Sequence, residues 1–409
     1  MTKSNWRTPV VILIAGTLAL FLSLGVRQTY GLFLPPISAE FGWGRETFSY
    51  AVALQSVFWG LGTPFAGMIA DRYGPGRVLA AGGILYALGL VWMALGSTAF
   101  DANGGIGVLT GLAMSATMFP IVLTIVGRVA PPGKRNLYLG IASAGGSSGQ
   151  VILMSPMQLS IDTWGWSASM LLLALMAGLI TPLAAAVAGT NEKNVAGQQH
   201  QSVGGALKEA ANNSGYWLVS AGYFVCGFQT MFISMHLPAL IGDNGIDPGM
   251  AAYALSLIGF FNIIGCFVWG AMGAKYRNKY CLVAIYLGRS VVMALFYVIP
   301  MTETSLLIFG VCLGLVWLGT VPLTSAVVAQ IFGTKYLSTL FGLSFVSHQV
   351  GSFLGIWIAG RLYDQMGNYD VIWWLAVASG LVAALLNFPI KDQPVARLNQ
   401  QQPATAKAA

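Results

Sequence analysis

The chain has 409 residues, of which 56% are hydrophobic and only 8% are charged, with a formal net charge of +7 and a mean hydropathy of +0.71. Soluble domains carry about 25% charged residues, so this composition excludes a water-exposed globule of the same size. The chain is predicted to be an integral, multi-pass membrane protein.

Twelve apolar segments follow one another along the chain, each close to the roughly 20 residues that a helix needs to cross a bilayer. In chain order they cover residues 9–34, 46–70, 77–97, 104–129, 137–159, 166–189, 215–241, 249–274, 279–299, 303–331, 337–362 and 369–390, here called spans 1 to 12. Span 1 is longer than the apolar core of a signal peptide, so we expect it to be retained. The predicted fold class is an all-α membrane protein with twelve transmembrane helices, which leaves no room for a soluble catalytic domain.

Basic residues are spread unevenly between the loops. If the N-terminus is cytoplasmic, every Lys and Arg except Arg27, Arg45, Arg289 and Arg361 falls at a cytoplasmic loop, span end or tail. This asymmetry follows the positive-inside rule. Both termini are therefore predicted to be cytoplasmic, and the length and topology suit a bacterial inner membrane. No Asp or Glu lies deep within a span.

The second half of the chain repeats the first half at an offset of about 203 residues. The matched pairs include Pro35 with Pro238, Gly42 with Gly245, Gly67 with Gly270, Gly149 with Gly351 and Asp162 with Asp364. Matches at Pro, Gly and Asp are informative because these residues fix kinks, close helix contacts and turns. Two pseudo-symmetric six-helix bundles are therefore predicted, in residues 1–189 and 215–390. A cytoplasmic linker, residues 190–214, with a short surface helix near residues 204–211, joins them, and a disordered tail, residues 391–409, follows.

The loop between spans 2 and 3 reads Gly67-Met-Ile-Ala-Asp71-Arg72-Tyr-Gly-Pro-Gly-Arg77. It resembles the GxxxDRxGRR motif of the major facilitator superfamily. The resemblance implies that Gly67, Asp71, Arg72 and Arg77 form a latch at the cytoplasmic helix ends, which breaks as the two bundles rock. A plain, positively charged loop is the alternative interpretation.

Two further stretches narrow the resemblance to the branch of monocarboxylate transporters and oxalate/formate exchangers. Span 5 contains Gly140-Ile-Ala-Ser-Ala-Gly-Gly-Ser-Ser-Gly149, which is similar to that branch's GxAxAGxxxG. Span 11 ends in Gly360-Arg-Leu-Tyr-Asp-Gln-Met-Gly-Asn-Tyr369, which is similar to its GRLxDxxGxY. The Asp and Arg that monocarboxylate transporters carry in span 8 are replaced here by Asn262 and Cys266. The resemblance implies alternating-access transport of a small organic anion.

Four ionisable residues inside spans are candidates for function, because a charge inside the bilayer is costly. Arg27, past the middle of span 1, is predicted to bind the anionic group of a substrate, since a guanidinium matches a carboxylate. A structural Arg that bonds helix carbonyls is the alternative. The resemblance places span 9 on the outside of its bundle, so Arg289 is expected to have a structural or conformational role, with substrate contact as the alternative. His348 in span 11 could contact an anion, carry a proton or join two helices, and His236 in span 7 is predicted to be a gate or a cap.

The remaining candidates for substrate contact are polar side chains on helices that should border a central cavity. They are Gln28, Tyr30, Gln55, Thr117, Gln229, Asn262 and Thr320. Each of them alone is more often an interhelical hydrogen bond than a ligand.

The predicted function is secondary transport of a small organic anion, with a carboxylate as the first choice, by alternating access around a midplane site. Protons or a counter-anion are the expected coupling partners. Efflux of a lipophilic or neutral compound is the alternative, and a transporter-like sensor is a third class. The sequence has no P-loop, dinucleotide fingerprint, HExxH or CxxC, and no nucleophile elbow in a strand–turn–helix setting. We therefore expect no enzyme activity, cofactor, metal or nucleic-acid partner, and we expect a monomer.

Overall fold

The computed structural model describes residues 7–131, 135–187, 202–333 and 336–399. Within these ranges the chain contains helices and no strands, with eleven helical stretches long and apolar enough to cross a membrane. One of these stretches, Tyr138–Val187, contains both span 5 and span 6, which are separated by a left-handed backbone at Gly165. The all-α membrane fold predicted from the sequence is confirmed.

The helices follow the predicted spans closely, and several spans are built from more than one helix. In chain order they are Pro9–Gln28 and Tyr30–Phe41 (span 1), Arg45–Tyr73 (span 2), Pro75–Leu95 (span 3), Ala99–Ala102, the π-helix Asn103–Leu109, Thr110–Thr117 and Phe119–Val129 (span 4), Arg135–Gly178 and Ile180–Val187 (spans 5 and 6), Val203–Ala211 (linker), Ser214–Asp243 (span 7), Pro248–Lys275 (span 8), Asn278–Val298 (span 9), Glu303–Leu315 and Thr320–Phe332 (span 10), Leu337–Met366 (span 11), Asp370–Asn387 (span 12) and Ala396–Asn399 (tail).

The sequence repeat is visible in the backbone. Gly42 and Gly245, a matched pair, both have positive φ (63° and 70°), and so do Gly165 and Gly367 (79° and 73°). Positive φ is readily adopted only by glycine, so each pair marks the same turn in both bundles.

Helix packing repeats as well. A Cβ on Gly149 of span 5 would overlap the carbonyl oxygen of Phe21 in span 1, and a Cβ on Gly351 of span 11 would overlap that of Phe224 in span 7. Since Phe21 and Phe224 are themselves about 203 residues apart, the two bundles use one packing scheme at matched positions.

The two bundles meet where span 2 packs against span 11 and span 5 packs against span 8. Along span 2 the contacts with the second bundle begin at Arg45, which pairs with Asp243 at the end of span 7 at 2.5 Å. They continue to Trp59, whose ring centroid lies 5.1 Å from that of Phe345. We call this side of the molecule the Arg45 end and the opposite side, which carries the loop between spans 2 and 3, the Arg72 end.

At the Arg72 end the same two helix pairs stand apart. Four glycines of these helices face open space: among the described residues, no atom outside the glycine's own helix backbone and chain neighbours lies within 4 Å of the place where a Cβ would stand. They are Gly67 of span 2, Gly342 of span 11, Gly140 of span 5 and Gly270 of span 8. The recorded contacts between the bundles therefore close the Arg45 end, and none of them lies beside these four glycines, so we interpret the Arg72 end as the open end of a cleft between the bundles.

The start of the predicted disordered tail packs on the second bundle. Asp392 is buried and accepts a hydrogen bond from Arg277 Nε at 3.1 Å. Val395 N donates to Ile331 O at 2.9 Å, and Arg397 lies 3.5 Å from Glu209 of the linker helix. Because these bonds fix the backbone, the prediction of disorder does not hold for residues 391–399. Residues 400–409 and the linker residues 188–201 lie outside the described part of the chain.

Candidate substrate site between the two bundles

Arg27 lies beside a break in span 1, two residues before Thr29, which separates the helices Pro9–Gln28 and Tyr30–Phe41. Its side chain points into the seam between the bundles and the residue is only 5% exposed. The Nη1 atom is 2.8 Å from the sulfur of Met231 in span 7, and Nη2 donates to Ser56 Oγ in span 2 at 3.3 Å. Arg27 is therefore neither turned towards lipid headgroups nor bonded to main-chain oxygens in its recorded contacts.

The charge of Arg27 has no carboxylate partner among the described side chains. Its guanidinium carbon lies 5.2 Å from the ring centroid of Trp59, and among the described residues Nε has no hydrogen-bond acceptor. A thioether and a hydroxyl are weak partners for a buried cation, and an uncompensated buried charge is strongly unfavourable. The recorded contacts therefore leave the charge of Arg27 without a counter-charge.

A small cavity of about 10 Å³ adjoins Arg27 at the seam. It is lined by Arg27, Gln28, Tyr30, Gly31, Val52, Met231, Ser234, Met235 and Ile356. Four buried polar atoms of the lining residues have no hydrogen-bond partner among the described residues, namely Arg27 Nε, Gln28 Oε1, Tyr30 OH and Ser234 Oγ. Buried polar atoms are normally satisfied, so their concentration in one place marks a site for a polar ligand. The volume suits about one water molecule, so a larger ligand requires the bundles to separate.

His348 is connected to Arg27 through two intermediate residues. Ser56, which accepts from Arg27, also offers its backbone carbonyl to Gln349 Nε2 at 3.4 Å. Gln349 Oε1 in turn lies 3.1 Å from His348 Nδ1. His348 itself is buried against the ring of Tyr223, with centroids 4.8 Å apart. The structure thus links the two sequence candidates across the seam without bringing them into direct contact.

Three other candidates converge on the break in span 10 instead. Arg289, fully buried, donates from Nη2 to Val316 O at 2.9 Å and also to Trp317 O. Asn262 Oδ1 accepts from Leu318 N at 3.0 Å. Gln229 Oε1 accepts from Arg289 at 3.2 Å, and its amide nitrogen donates to Ala376 O at 2.8 Å. These contacts satisfy the free backbone groups of the break, and they do not favour the prediction that Gln229 and Asn262 contact a substrate.

Two predicted threonines occupy matched positions in the two bundles. Thr117 Oγ1 lies 2.7 Å from Ser23 Oγ, and Thr320 Oγ1 lies 3.1 Å from Cys226 Sγ. Both threonines are fully buried and join the first helix of each bundle to the fourth. Gln55 is likewise buried and donates to Thr110 Oγ1 at 2.5 Å. These residues lie inside the bundles, whereas Arg27, Gln28 and Tyr30 line the seam.

The Arg45 end is closed by a polar network that the sequence did not reveal. Arg45 pairs with Asp243 and donates to Tyr369 OH at 2.8 Å. Tyr369 OH is 3.0 Å from His236 Nδ1, and His236 Nε2 is 2.9 Å from Ile356 O. A carbonyl can only accept, so Nε2 carries a proton and donates to Ile356 O. His236 is therefore part of the closure at this end, next to Arg45 of the opposite bundle.

The motif between spans 2 and 3 lies at the Arg72 end, where the cleft is widest. Arg72 is exposed, and its guanidinium carbon is 5.2 Å from the ring centroid of Tyr73. Arg77, also exposed, bonds Tyr73 O at 3.4 Å. Gly67 faces open space. Asp71 belongs to the helix Arg45–Tyr73, and its side chain lies outside the described part of the structure.

Comparison with known proteins defines the class. The family model of the Major Facilitator Superfamily matches residues 16–321 and 219–408. The chain belongs to this superfamily, which makes it a membrane transporter and not an enzyme. Solved structures agree at the level of the fold. The structure of a D-xylose–proton symporter superposes with a TM-score of 0.69 at 15% sequence identity, and the match covers 95% of this chain and 99% of the symporter. The inward-facing structure of a bacterial homologue of the human lysosomal transporter Spinster superposes with a TM-score of 0.72 at 16% sequence identity, and the match covers 93% of this chain and 97% of the homologue.

Sequence relatives point to a narrower group. The chain is 23% identical to monocarboxylate transporter 13 of Rattus norvegicus, over 90% of this chain and 86% of that protein. It is 22% identical to the oxalate:formate antiporter of Oxalobacter formigenes, over 96% of this chain and 94% of that protein. It is 24% identical to the uncharacterized transporter YcxA of Bacillus subtilis, over 91% of this chain and 92% of that protein.

Proposed function

We propose that this chain is a secondary transporter that moves a small organic anion, with a carboxylate as the expected charged group. The single observation that carries the proposal is Arg27, a buried cation at the seam between the bundles, without a carboxylate partner among the described side chains. The names of the relatives, which include a monocarboxylate transporter and an oxalate:formate antiporter, support an organic anion as the cargo.

We further propose that transport follows alternating access. In the described state the Arg45 end is closed and the Arg72 end is open. The glycines that face open space lie on the same four helices that pack at the other end. The alternate state would close the Arg72 end and open the Arg45 end through the same four helices. The positive-inside rule favours an outer position for the Arg45 end, with cytoplasmic termini in a bacterial inner membrane. The site in spans 1 and 7 then lies between an outer closure and an inner opening.

The direct test is uptake of radiolabelled carboxylates by proteoliposomes that contain the purified protein. Arg27→Met should abolish uptake, and Arg27→Lys should retain a fraction of it, because a point charge replaces the planar fork. Both variants must insert into the membrane and elute from size-exclusion chromatography as the wild type does. Unchanged uptake by Arg27→Met contradicts the proposal.

Coupling is tested in the same vesicles. Proton symport predicts uptake that follows an imposed pH gradient, whereas anion exchange predicts uptake that requires an anion loaded on the opposite side and ignores the gradient. We propose exchange, because within the described residues no carboxylate accompanies Arg27 to hold a proton in the site. A strict dependence on the pH gradient contradicts exchange.

A further inference from the structure

The turn between spans 8 and 9 repeats the turn between spans 2 and 3, but its acid is missing. At the repeat offset of 203 residues, Asp71 of the first turn is matched by Ala274. The second turn is still basic, with Lys275, Arg277 and Lys279 close together in sequence, and residues 270–279 contain no Asp or Glu. The second copy of the motif therefore carries cations without a carboxylate of its own.

A carboxylate reaches this turn from the tail that follows span 12. Asp392 is only 2% exposed, and its two oxygens accept from Arg277, one from Nε at 3.1 Å and the other from Nη2. Lys279 Nζ donates to the backbone carbonyl of Ile390 at 2.8 Å. An arginine that bonds both oxygens of one carboxylate makes a strong and geometrically specific pair, and a buried carboxylate without a partner is strongly unfavourable. The tail and the turn therefore hold each other in place.

From Asp392 the tail continues across the end of span 10 to the linker helix. Val395 N donates to Ile331 O at 2.9 Å. Arg397 donates to Phe332 O at 3.0 Å and lies 3.5 Å from Glu209 of the linker helix. All of these partners belong to the second bundle or to the linker helix.

The linker helix is itself bonded to the second bundle. Trp217 of span 7 donates from Nε1 to Ala211 O at 2.8 Å, and Ala210 of the linker helix is buried. At the Arg45 end, by contrast, the ion pair of Arg45 and Asp243 joins opposite bundles. When two rigid bodies rock against each other, contacts between them break and contacts within each of them persist. The contacts of the tail are of the second kind.

We infer that Asp392 replaces, in the second bundle, the acid that Asp71 supplies in the first, and that residues 390–398 form a strap that stays closed in both states of the transport cycle. The reversible latch that the motif resemblance implies is then confined to the turn between spans 2 and 3. The inference concerns the tail and not the cargo, so it goes beyond the proposed function and applies to any substrate that the chain carries.

Replacement of the acid is tested by moving it back into the motif. Asp392→Asn removes the charge from the pair with Arg277 and should lower the thermal unfolding temperature in detergent by a few degrees. Adding Ala274→Asp, which places a carboxylate three residues before Arg277, should recover part of that loss. Ala274→Asn is the matched control, since it has the same shape without the charge and should recover none. An unchanged unfolding temperature in Asp392→Asn, or equal recovery by the Asp and Asn variants at position 274, overturns the inference.

Permanent closure of the strap is tested by hydrogen exchange, which reports local opening of backbone hydrogen bonds. Asp243→Asn weakens the ion pair with Arg45 and should speed exchange at the Arg45 end, while residues 390–398 exchange as in the wild type. Asp392→Asn should do the reverse. Faster exchange of residues 390–398 in Asp243→Asn overturns the closed strap. Both measurements use the protein alone, so a failure of carboxylate uptake would contradict the proposed function and leave this inference standing.

Discussion

Asp364 of span 11 caps the N-terminus of span 2 in the other bundle. Its two carboxylate oxygens accept the backbone N–H groups of Arg45 at 2.7 Å and Glu46 at 2.8 Å. The first N–H groups of a helix have no partner within the helix, and its dipole favours a negative charge there. Because the carboxylate and the helix belong to different bundles, this cap exists only while the Arg45 end is closed.

Replacing Asp364 should shift the protein towards the state that is open at the Arg45 end. The cap stabilises the state that is closed at the Arg45 end by about 1 kcal/mol, so Asp364→Asn should raise the population of the other state several-fold, because the amide keeps only one of the two acceptor oxygens and loses the negative charge at the helix N-terminus. The measurement is labelling of Ser49→Cys, buried beside His236 in this state, by an impermeant maleimide in a variant without native cysteines.

Asp162→Asn provides the control for that experiment. Asp162 is the repeat partner of Asp364, yet it accepts from Gln158 of its own bundle at 2.8 Å. Labelling should therefore stay at the reference level in this variant. Equal acceleration by both substitutions would mean that the cap does not hold the bundles together.

Bulky residues at the open glycines should block transport without disturbing the described state. Gly67→Phe and Gly342→Phe introduce rings into space that is open at the Arg72 end, so the thermal unfolding temperature should change little. Closure of that end requires the helices to approach, and uptake should fall to background. Binding of a carboxylate, measured by calorimetry, should persist.

Gly242→Phe, also in open space but at the Arg45 end, should transport normally. Normal uptake by both Gly67→Phe and Gly342→Phe would argue against closure along these helices.

The two buried arginines should respond in opposite ways to the same substitution. Arg289→Met leaves the carbonyls of Val316 and Trp317 without their donor, which should destabilise the protein by on the order of 2 to 5 kcal/mol. Arg27→Met removes a charge without a carboxylate partner among the described side chains, so stability should be unchanged or higher. Thermal unfolding in detergent distinguishes them. A large loss of stability in Arg27→Met would show that this residue is structural.

Acidification should loosen the contact between the tail and the second bundle. The hydrogen bond from Arg277 lowers the pKa of the Asp392 carboxyl below its usual value. A carboxyl whose pKa is lower in the folded state contributes stability above its unfolded pKa of about 3.9 and loses it as the pH falls towards the lower folded value. Unfolding temperatures measured between about pH 6 and pH 3 should therefore decline less steeply in Asp392→Asn than in the wild type. The variant should also be less stable at pH 6, and parallel profiles would contradict this assignment.

The sequence predicted much of the architecture because the signals are local. The length of the apolar segments predicts the spans, and glycine pairs such as Gly42 and Gly245 predict the repeat. In the structure both glycines of this pair have positive φ. The candidate site was predicted less completely. Arg27 was identified by its charge inside an apolar helix, whereas Ser56 and Met231 carry no such signal, since single polar or sulfur-containing residues are common in membrane helices. Asp364 had one available signal, its match to Asp162 in the repeat.

By itself, the sequence determined that this chain crosses the membrane as two related bundles and that two arginines lie within its spans. Hydropathy treats Arg27 and Arg289 alike, because both are cations in the middle of apolar helices. The family resemblance suggested different roles for them, but only the tertiary structure decided which polar groups each one meets: Arg289 meets the free carbonyls of a broken helix within one bundle, whereas Arg27 meets a thioether and a hydroxyl at the seam. The physical reason is that the free energy of a buried charge depends on its nearest polar partners, and packing brings those partners from segments far apart in the chain.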